Sequence, residues 1–327
     1  MKKFFALILA LVMALSLVAC GGGGGGEEGG DVKMRFVTGG ESGTYYAFGG
    51  TIAQHATNAD NGIQVIGVVG NGSQGNVEAL QSSKAELAFC QSDVMSYAYD
   101  GTRLFEESGK VDNFSTVAAL YNEQVQIVTC DPDIKSVADL KGKKVSLGSA
   151  GSGVYFNAMD VLGAYGLTED DIQPTYQSFG DTVNDIKDGK IDAGFMTAGA
   201  PTTAVVDLST TKDTFVLSID EEHIDALVAS SPFYQKAIIP KDVYGTDEDI
   251  TTVAVGAVIL ARNDVPEDAI YALTADIFDN YQDLVANHAK YGELSVEYAT
   301  SITTVPYHAG AAKYFAEKGI EVPVVAE

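Results

Sequence analysis

Short runs rich in β-branched residues alternate with longer stretches whose apolar positions recur every three or four residues. Met34 to Thr38, Val65 to Val69 and Leu87 to Cys90 read as strands. Between them, Phe48, Ile52 and Ala56 keep a helical spacing of four, and a second helix carries Val77 and Leu80. A similar set begins near residue 125, with strands predicted at Lys144 to Leu147, Thr175 to Ser178, Ala193 to Met196 and Phe215 to Ser218. Its helices close at Gly166 and, after Val183 and Ile186, at a C-capping Gly189. Val253 to Leu260 is a long apolar strand, and Pro266 opens a helix on which Ile270, Leu273, Ile277, Tyr281 and Leu284 hold the three-four rhythm. A last helix near Ala311 to Lys318 stops at Gly319. Strand, Gly/Ser turn and helix in repeated order predict a mostly parallel α/β sheet in two units, with the C-terminal helices returning to the first.

The first thirty residues follow a different pattern. Lys2 and Lys3 precede the apolar run Phe4 to Val18, which is shorter than the roughly 20 apolar residues of a membrane span. A basic start, a short apolar run and small residues before a cut point read as a secretory signal over residues 1–19. Leu17-Val18-Ala19-Cys20 resembles a bacterial lipobox, which makes Cys20 the lipidated N-terminus, anchored to a membrane. The glycine run Gly21 to Gly26 and the segment to residue 31 read as a flexible tether. The expected location is extracytoplasmic, on the outer face of a Gram-positive cell in preference to a periplasm.

Charge narrows the range of partners. With 45 acidic against 20 basic residues the net charge is −25, and nucleic acid, whose binding needs Lys and Arg on phosphates, is excluded as a partner. Besides Cys20 only Cys90 and Cys130 occur, each in an apolar run, and both read as small buried hydrophobes. His55, His223, His288 and His308 are scattered, and no zinc spacing, phosphate loop or nucleophile elbow is present. No catalytic residue, metal or cofactor is expected, and the chain reads as a monomeric binding protein.

Two turns carry the candidate chemistry. Open α/β sheets bind ligands beyond the carboxyl ends of their strands, where helix N-termini present unpaired N–H groups to anions. Gly40-Glu41-Ser42-Gly43-Thr44-Tyr45 in the first unit and Ser149-Ala150-Gly151-Ser152-Gly153 in the second fit that use. Facing one cleft, they would clamp a carboxylate with backbone dipoles and hydroxyls. The three arginines, Arg35, Arg103 and Arg262, lie outside both turns. An acidic residue near the cleft, Glu41, Asp93 or Glu123, would favour a ligand that also carries an ammonium group. Gly70-Asn71-Gly72-Ser73-Gln74-Gly75 matches G-x-G-x-x-G, but it follows the second strand and reads as a tight turn bordering the cleft, not a dinucleotide site.

Several segments in order complete the pattern: Gly39 to Tyr46, Gly72 to Val77, Gln91 to Val94, Leu120 to Glu123, Asp139 to Val145, Gly151 to Gly153, Asp188 to Ala193, Gly199 to Pro201 and Pro306 to Ala311. In these the chain resembles the TAXI family, the extracytoplasmic solute receptors of one class of TRAP transporters. The resemblance implies a two-lobed type II periplasmic-binding-protein-like fold with a hinge and an interlobe ligand cleft. On that fold lobe one is expected over residues 32–122 plus 275–327, and lobe two over 123–274. The resemblance also implies binding of a small carboxylate or amino acid such as glutamate, glutamine or a related dicarboxylate, and its delivery to a TRAP membrane permease. A ligand-sensing surface lipoprotein acting with a membrane kinase is the alternative. Carried over residue by residue, the site comprises Ser42, Thr44, Tyr45, Gln91 and Asp93 from lobe one and Ser149, Ser152, Gly153 and Gly199 from lobe two. Asn122 stands where the family often has proline, and Gly72 to Asn76 departs from a more usual Gly-Ser-Val-Glu-Asn.

Overall fold

The computed structural model describes residues 31–325; the expected signal, Cys20 anchor and most of the tether lie outside them. Ten strands among the described residues join in one sheet. They are β1 (Val32–Val37), β2 (Ile63–Val68), β3 (Leu87–Gln91), β4 (Phe114–Thr129), β5 (Lys144–Ser146), β6 (Gln173–Thr175), β7 (Ala193–Ala198), β8 (Phe215–Val216), β9 (Gln235–Ile239) and β10 (Ile250–Arg262). The order is β2-β1-β3-β10-β4-β7-β5-β6, with β8 on β4 and β9 on β10. Each end is parallel, β1 with β2 and β3, β5 with β6 and β7. Its middle is not. β4 and β10 run antiparallel from Phe114↔Arg262 to Gln124↔Ala254, with register shifts at Ala257/Val258 and Ile259/Leu260. Such shifts bend a strand pair and raise its twist, and here they lie in the lobe-one part of the pair, where β10 also meets β3.

Each lobe buries apolar side chains on both faces of its part of the sheet. In lobe one the helices Thr44–Asn58, Glu267–Asp279 and Ala309–Glu317 cover one face, packing Phe48, Ile52, Leu273 and Phe315 on Phe36, Phe89 and Ile259. Helices Ser73–Gln81 and Ser92–Asp100 cover the other, around Leu80, Cys90, Met95 and Leu260. In lobe two Val154–Ala164 and Glu221–Ser230 pack Leu162 and Leu227 on Ile127, Phe195 and Val255. Opposite them, Phe179–Lys187 and Thr203–Thr211 pack Val183 and Leu208 on Val128 and Met196. The expected helical faces are the ones buried: Phe48, Ile52 and Ala56 are all fully enclosed.

Some expectations are corrected. The strand read at Thr175 to Ser178 ends at Thr175, because the Ser178 side chain accepts from the Asp181 N–H and starts a helix. The helix opened by Pro266 stops at Asp279 and resumes as the short Tyr281–Leu284 turn. Its packing in the first core means that β10 makes the return to lobe one, earlier than residue 275. Cys130 is only partly buried. No helix among the described residues is long and apolar enough to cross a membrane.

Candidate ligand-binding cleft

A cavity of about 450 Å³ lies where the lobes meet, lined from lobe one by the 39–45 and 69–73 turns and Gln91, from the shared strand β4 by Glu123, and from lobe two by Ser149, Ser152, Val154, the 178–181 turn, Asn184, Thr197 and Ala198. Four helix starts reach it. Helices 44–58, 73–81 and 154–164 begin after Gly43, Gly72 and Gly153, none of which supplies a side-chain cap. The fourth, 179–187, is capped by Ser178, whose Oγ accepts from the Asp181 N–H at 3.1 Å. An uncapped first turn leaves N–H groups free for a ligand, and its dipole favours an anion; here the Val154 N–H is taken by the Ser152 hydroxyl at 3.2 Å and the Gly75 N–H by the Gly151 carbonyl at 3.0 Å. Gly72 is required here: its φ is +108°, and a Cβ would lie 3.0 Å from the Ser152 Cα.

Six of the nine expected site residues line the cavity: Ser42, Thr44, Tyr45, Gln91, Ser149 and Ser152. The other three do not, and they serve closure instead. Asp93 is fully buried beneath the interface and accepts from the Asn157 amide at 2.9 Å. Burial pushes its carboxyl up to about 6, against the pull of the Val94 N–H and of Asn157. Gly153 faces Gln91 so closely that a Cβ would come 1.6 Å from Oε1. The Gly199 carbonyl accepts from the Thr44 hydroxyl at 2.8 Å. With Gly75 N–H on the Gly151 carbonyl at 3.0 Å, Ala204 N–H on the Ser42 carbonyl at 3.2 Å and Gln91 Nε2 on Asn157 Oδ1 at 2.6 Å, these bonds tie the lobes shut.

The turn at Gly70–Ser73 is part of the wall, so the start of the Gly72 to Asn76 segment borders the cavity. Sequence reasoning left the 178–181 turn, Asn184 and Thr197 out of the site. Thr197 matters because its hydroxyl is buried with no partner among the described residues, and buried polar groups are nearly always paired. A bound ligand can supply that partner. The only signal for it in the sequence was its place at the end of a strand.

No lysine or arginine is among the lining residues. Arg35 pairs with Glu86 at 2.7 Å, Arg103 with Asp160 at 2.9 Å, and Arg262 with Asp264 at 2.5 Å. Among the described residues no cluster of His, Cys, Asp and Glu could hold a metal. Glu123 faces the cavity from β4, buried, and its Oε2 accepts from the Tyr45 hydroxyl at 2.7 Å. Tyr45 itself stacks on Phe89 with centroids 4.5 Å apart, which fixes that hydroxyl.

Residues 36–319 match the model of the NMT1-like family. The fold is similar to that of a protein from Bordetella bronchiseptica RB50, at 18% identity over 91% of this chain and 86% of that one, with a TM-score of 0.53. A solved structure described as a periplasmic transporter matches at 16% over 80% of this chain and 87% of its own, TM-score 0.52. The alkanesulfonate-binding protein SsuA from Xanthomonas axonopodis pv. citri, solved bound to MOPS, matches at 14% over 88% and 91%, TM-score 0.48. The fold shared with the first two of these is a two-lobed α/β architecture built on one mixed sheet.

Proposed function

The chain belongs to the NMT1-like family, and from that membership and the build of its cleft we propose that it is an extracytoplasmic solute receptor for a small carboxylate such as glutamate, glutamine or a related dicarboxylate. The observation that carries the reading is the convergence of helix starts from both lobes on one cavity, those after Gly43 and Gly72 without a side-chain cap. Lobe one offers the amides that directly follow Gly43 and Gly72, and lobe two those that directly follow Ser178, since the Ser152 N–H is held by the Ser149 carbonyl and the Val154 N–H by the Ser152 hydroxyl. A carboxylate held between them satisfies groups of both lobes at once, and so favours the closed form. With charge-assisted hydrogen bonds contributing roughly 1.5–3 kcal/mol each, about four near the upper end of that range reach micromolar affinity, about −8 kcal/mol, against an association cost of about 4 kcal/mol. Arginine is not needed.

In this reading the closed receptor docks on a TRAP-type permease, and lipidated Cys20 keeps it at the membrane. Ligand-induced thermal stabilisation of the full chain, screened over amino acids, dicarboxylates and sugars, tests the ligand class. A ligand at 100 times its dissociation constant adds about 2.7 kcal/mol. Hits are expected among glutamate-like compounds and should weaken in Ser152→Ala and Tyr45→Ala. Hits among sugars alone, or both variants binding unchanged, would defeat it.

A further inference from the structure

Three carboxylates line the cavity, and their surroundings differ. Glu41 and Asp181 are exposed at its edge, and Asp181 accepts from the Ser178 hydroxyl at 2.7 Å. Glu123 is 2% exposed, and its one hydrogen-bond partner among the described residues is a neutral hydroxyl, that of Tyr45. A carboxylate out of water needs a counter-charge, and no lining residue supplies one.

The groups around Glu123 do not remove the deficit. Tyr45 faces it from helix 44–58, Cys90 from β3, Asp93 from helix 92–100, Tyr121 from its own strand, and Lys290 and Tyr298 from the segment before the last helix. Lys290 is already held by Glu293 at 2.7 Å, while a charged Asp93 opposes ionisation. Burial dominates over the Tyr45 hydrogen bond and pushes the Glu123 carboxyl up to about 8. At neutral pH the empty cavity therefore presents an acid at this point and not a carboxylate.

We infer that Glu123 seats the ammonium group of the ligand and gives its own carboxyl proton to solvent as that group arrives, so that the receptor selects α-amino acids over the same acids without nitrogen. The inference rests on the solute-receptor reading and narrows its ligand class. The balance is simple: a carboxylic acid and an ammonium become a carboxylate–ammonium pair, and one proton passes to water. Exposed Glu41 and Asp181 cannot discriminate in this way, because water serves them equally well with or without a ligand.

Titration calorimetry on the full chain with L-glutamate, L-glutamine and glutarate tests it, run at about pH 7 in phosphate and in Tris, which take up protons with different heats. Wild type should bind glutamate at least about tenfold tighter than glutarate, the worth of one charge-assisted hydrogen bond. The heat of binding glutamate should differ between the buffers by nearly one proton taken up, and that difference should vanish near pH 9, where Glu123 is already ionised. Glu123→Gln should bring glutamate and glutarate within about threefold of each other and remove the buffer dependence. Glutarate bound as tightly as glutamate by wild type, or equal heats in both buffers, overturns the inference and leaves the receptor reading intact. Failure of all three compounds to bind wild type removes both. The wild-type comparisons decide the matter even where the variant does not fold.

Discussion

At the scale of single residues, Glu123 combines a binding role with a cost in stability that can be measured without any ligand. Its carboxyl titrates near 8 in the folded protein and near 4.5 when free of the fold. Between those values the folded state holds a proton that the unfolded state has released, so stability falls as pH rises through the window. The contribution is complete below about pH 4.5 and gone above about 8. Asp93 acts in the same direction over a lower window, from 3.8 to about 6. His288 and His308, both held low by burial, act in the opposite direction, because their neutral forms are the buried ones. Glutamine at 123 mimics the protonated acid at every pH. Glu123→Gln should therefore match wild type in urea unfolding near pH 5 and exceed it by a few kcal/mol near pH 8, on the order of the free energy of the displaced titration. Parallel stability curves for the two proteins would rule this out. A variant that gains stability while losing discrimination is the pattern expected of a residue kept for function.

At the scale of elements, closure is written into two helix starts that touch. The turn before helix 154–164 brings Gly153 against Gln91, whose side chain is held by Ser73 and Asn157. Gly153 has an ordinary helical φ of −68°, so alanine strains no backbone there, yet its Cβ would sit 2.7 Å from the Gln91 Cδ and 3.0 Å from Val94. Only the approach of the lobes is blocked. Gly153→Ala should weaken ligand affinity by roughly 1–3 kcal/mol, the usual cost of overpacking, while the unfolding free energy of the ligand-free protein changes little. Equal losses in both measurements would place the clash inside a lobe. Both glycine turns were legible in the sequence because a Gly/Ser run between a strand and a periodic stretch has few other uses. The roles of Gly153, Gly199 and Asp93 in closure were not, since contact across a cleft depends on how two lobes dock and leaves no local pattern. Glu123 was one of three acidic candidates before the structure, and only burial separates it from Glu41. The strand misplaced at Thr175 to Ser178 has the same origin: Ser178 reads equally well as a strand end and as a helix cap.

At the scale of the whole molecule, the two lobes share the strands that join them. The sequence announces two similar α/β units and does not announce the direction of β4 and β10, because an apolar run of strand length is equally compatible with parallel and antiparallel pairing. Direction decides the mechanics. Antiparallel and adjacent, these strands form the centre of the sheet: β10 pairs with β3 through Ala257–Ala261 in lobe one and with β9 through Ile250–Ala254 in lobe two. β4 meets β7 through Gln124–Thr129. Melting either lobe strips the other of part of its central pair and exposes residues such as Val255 and Ile259, which are fully buried in the folded state. The lobes should therefore unfold together. Calorimetry of the ligand-free protein should show one transition whose van't Hoff and calorimetric enthalpies agree near 200 kcal/mol, at about 0.7 kcal/mol per residue for the folded unit. Two transitions of roughly half that size would mean that each lobe stands alone and that the shared pair is only a tether. A bound ligand should move the single transition upward as a whole, because the groups that hold it come from both lobes.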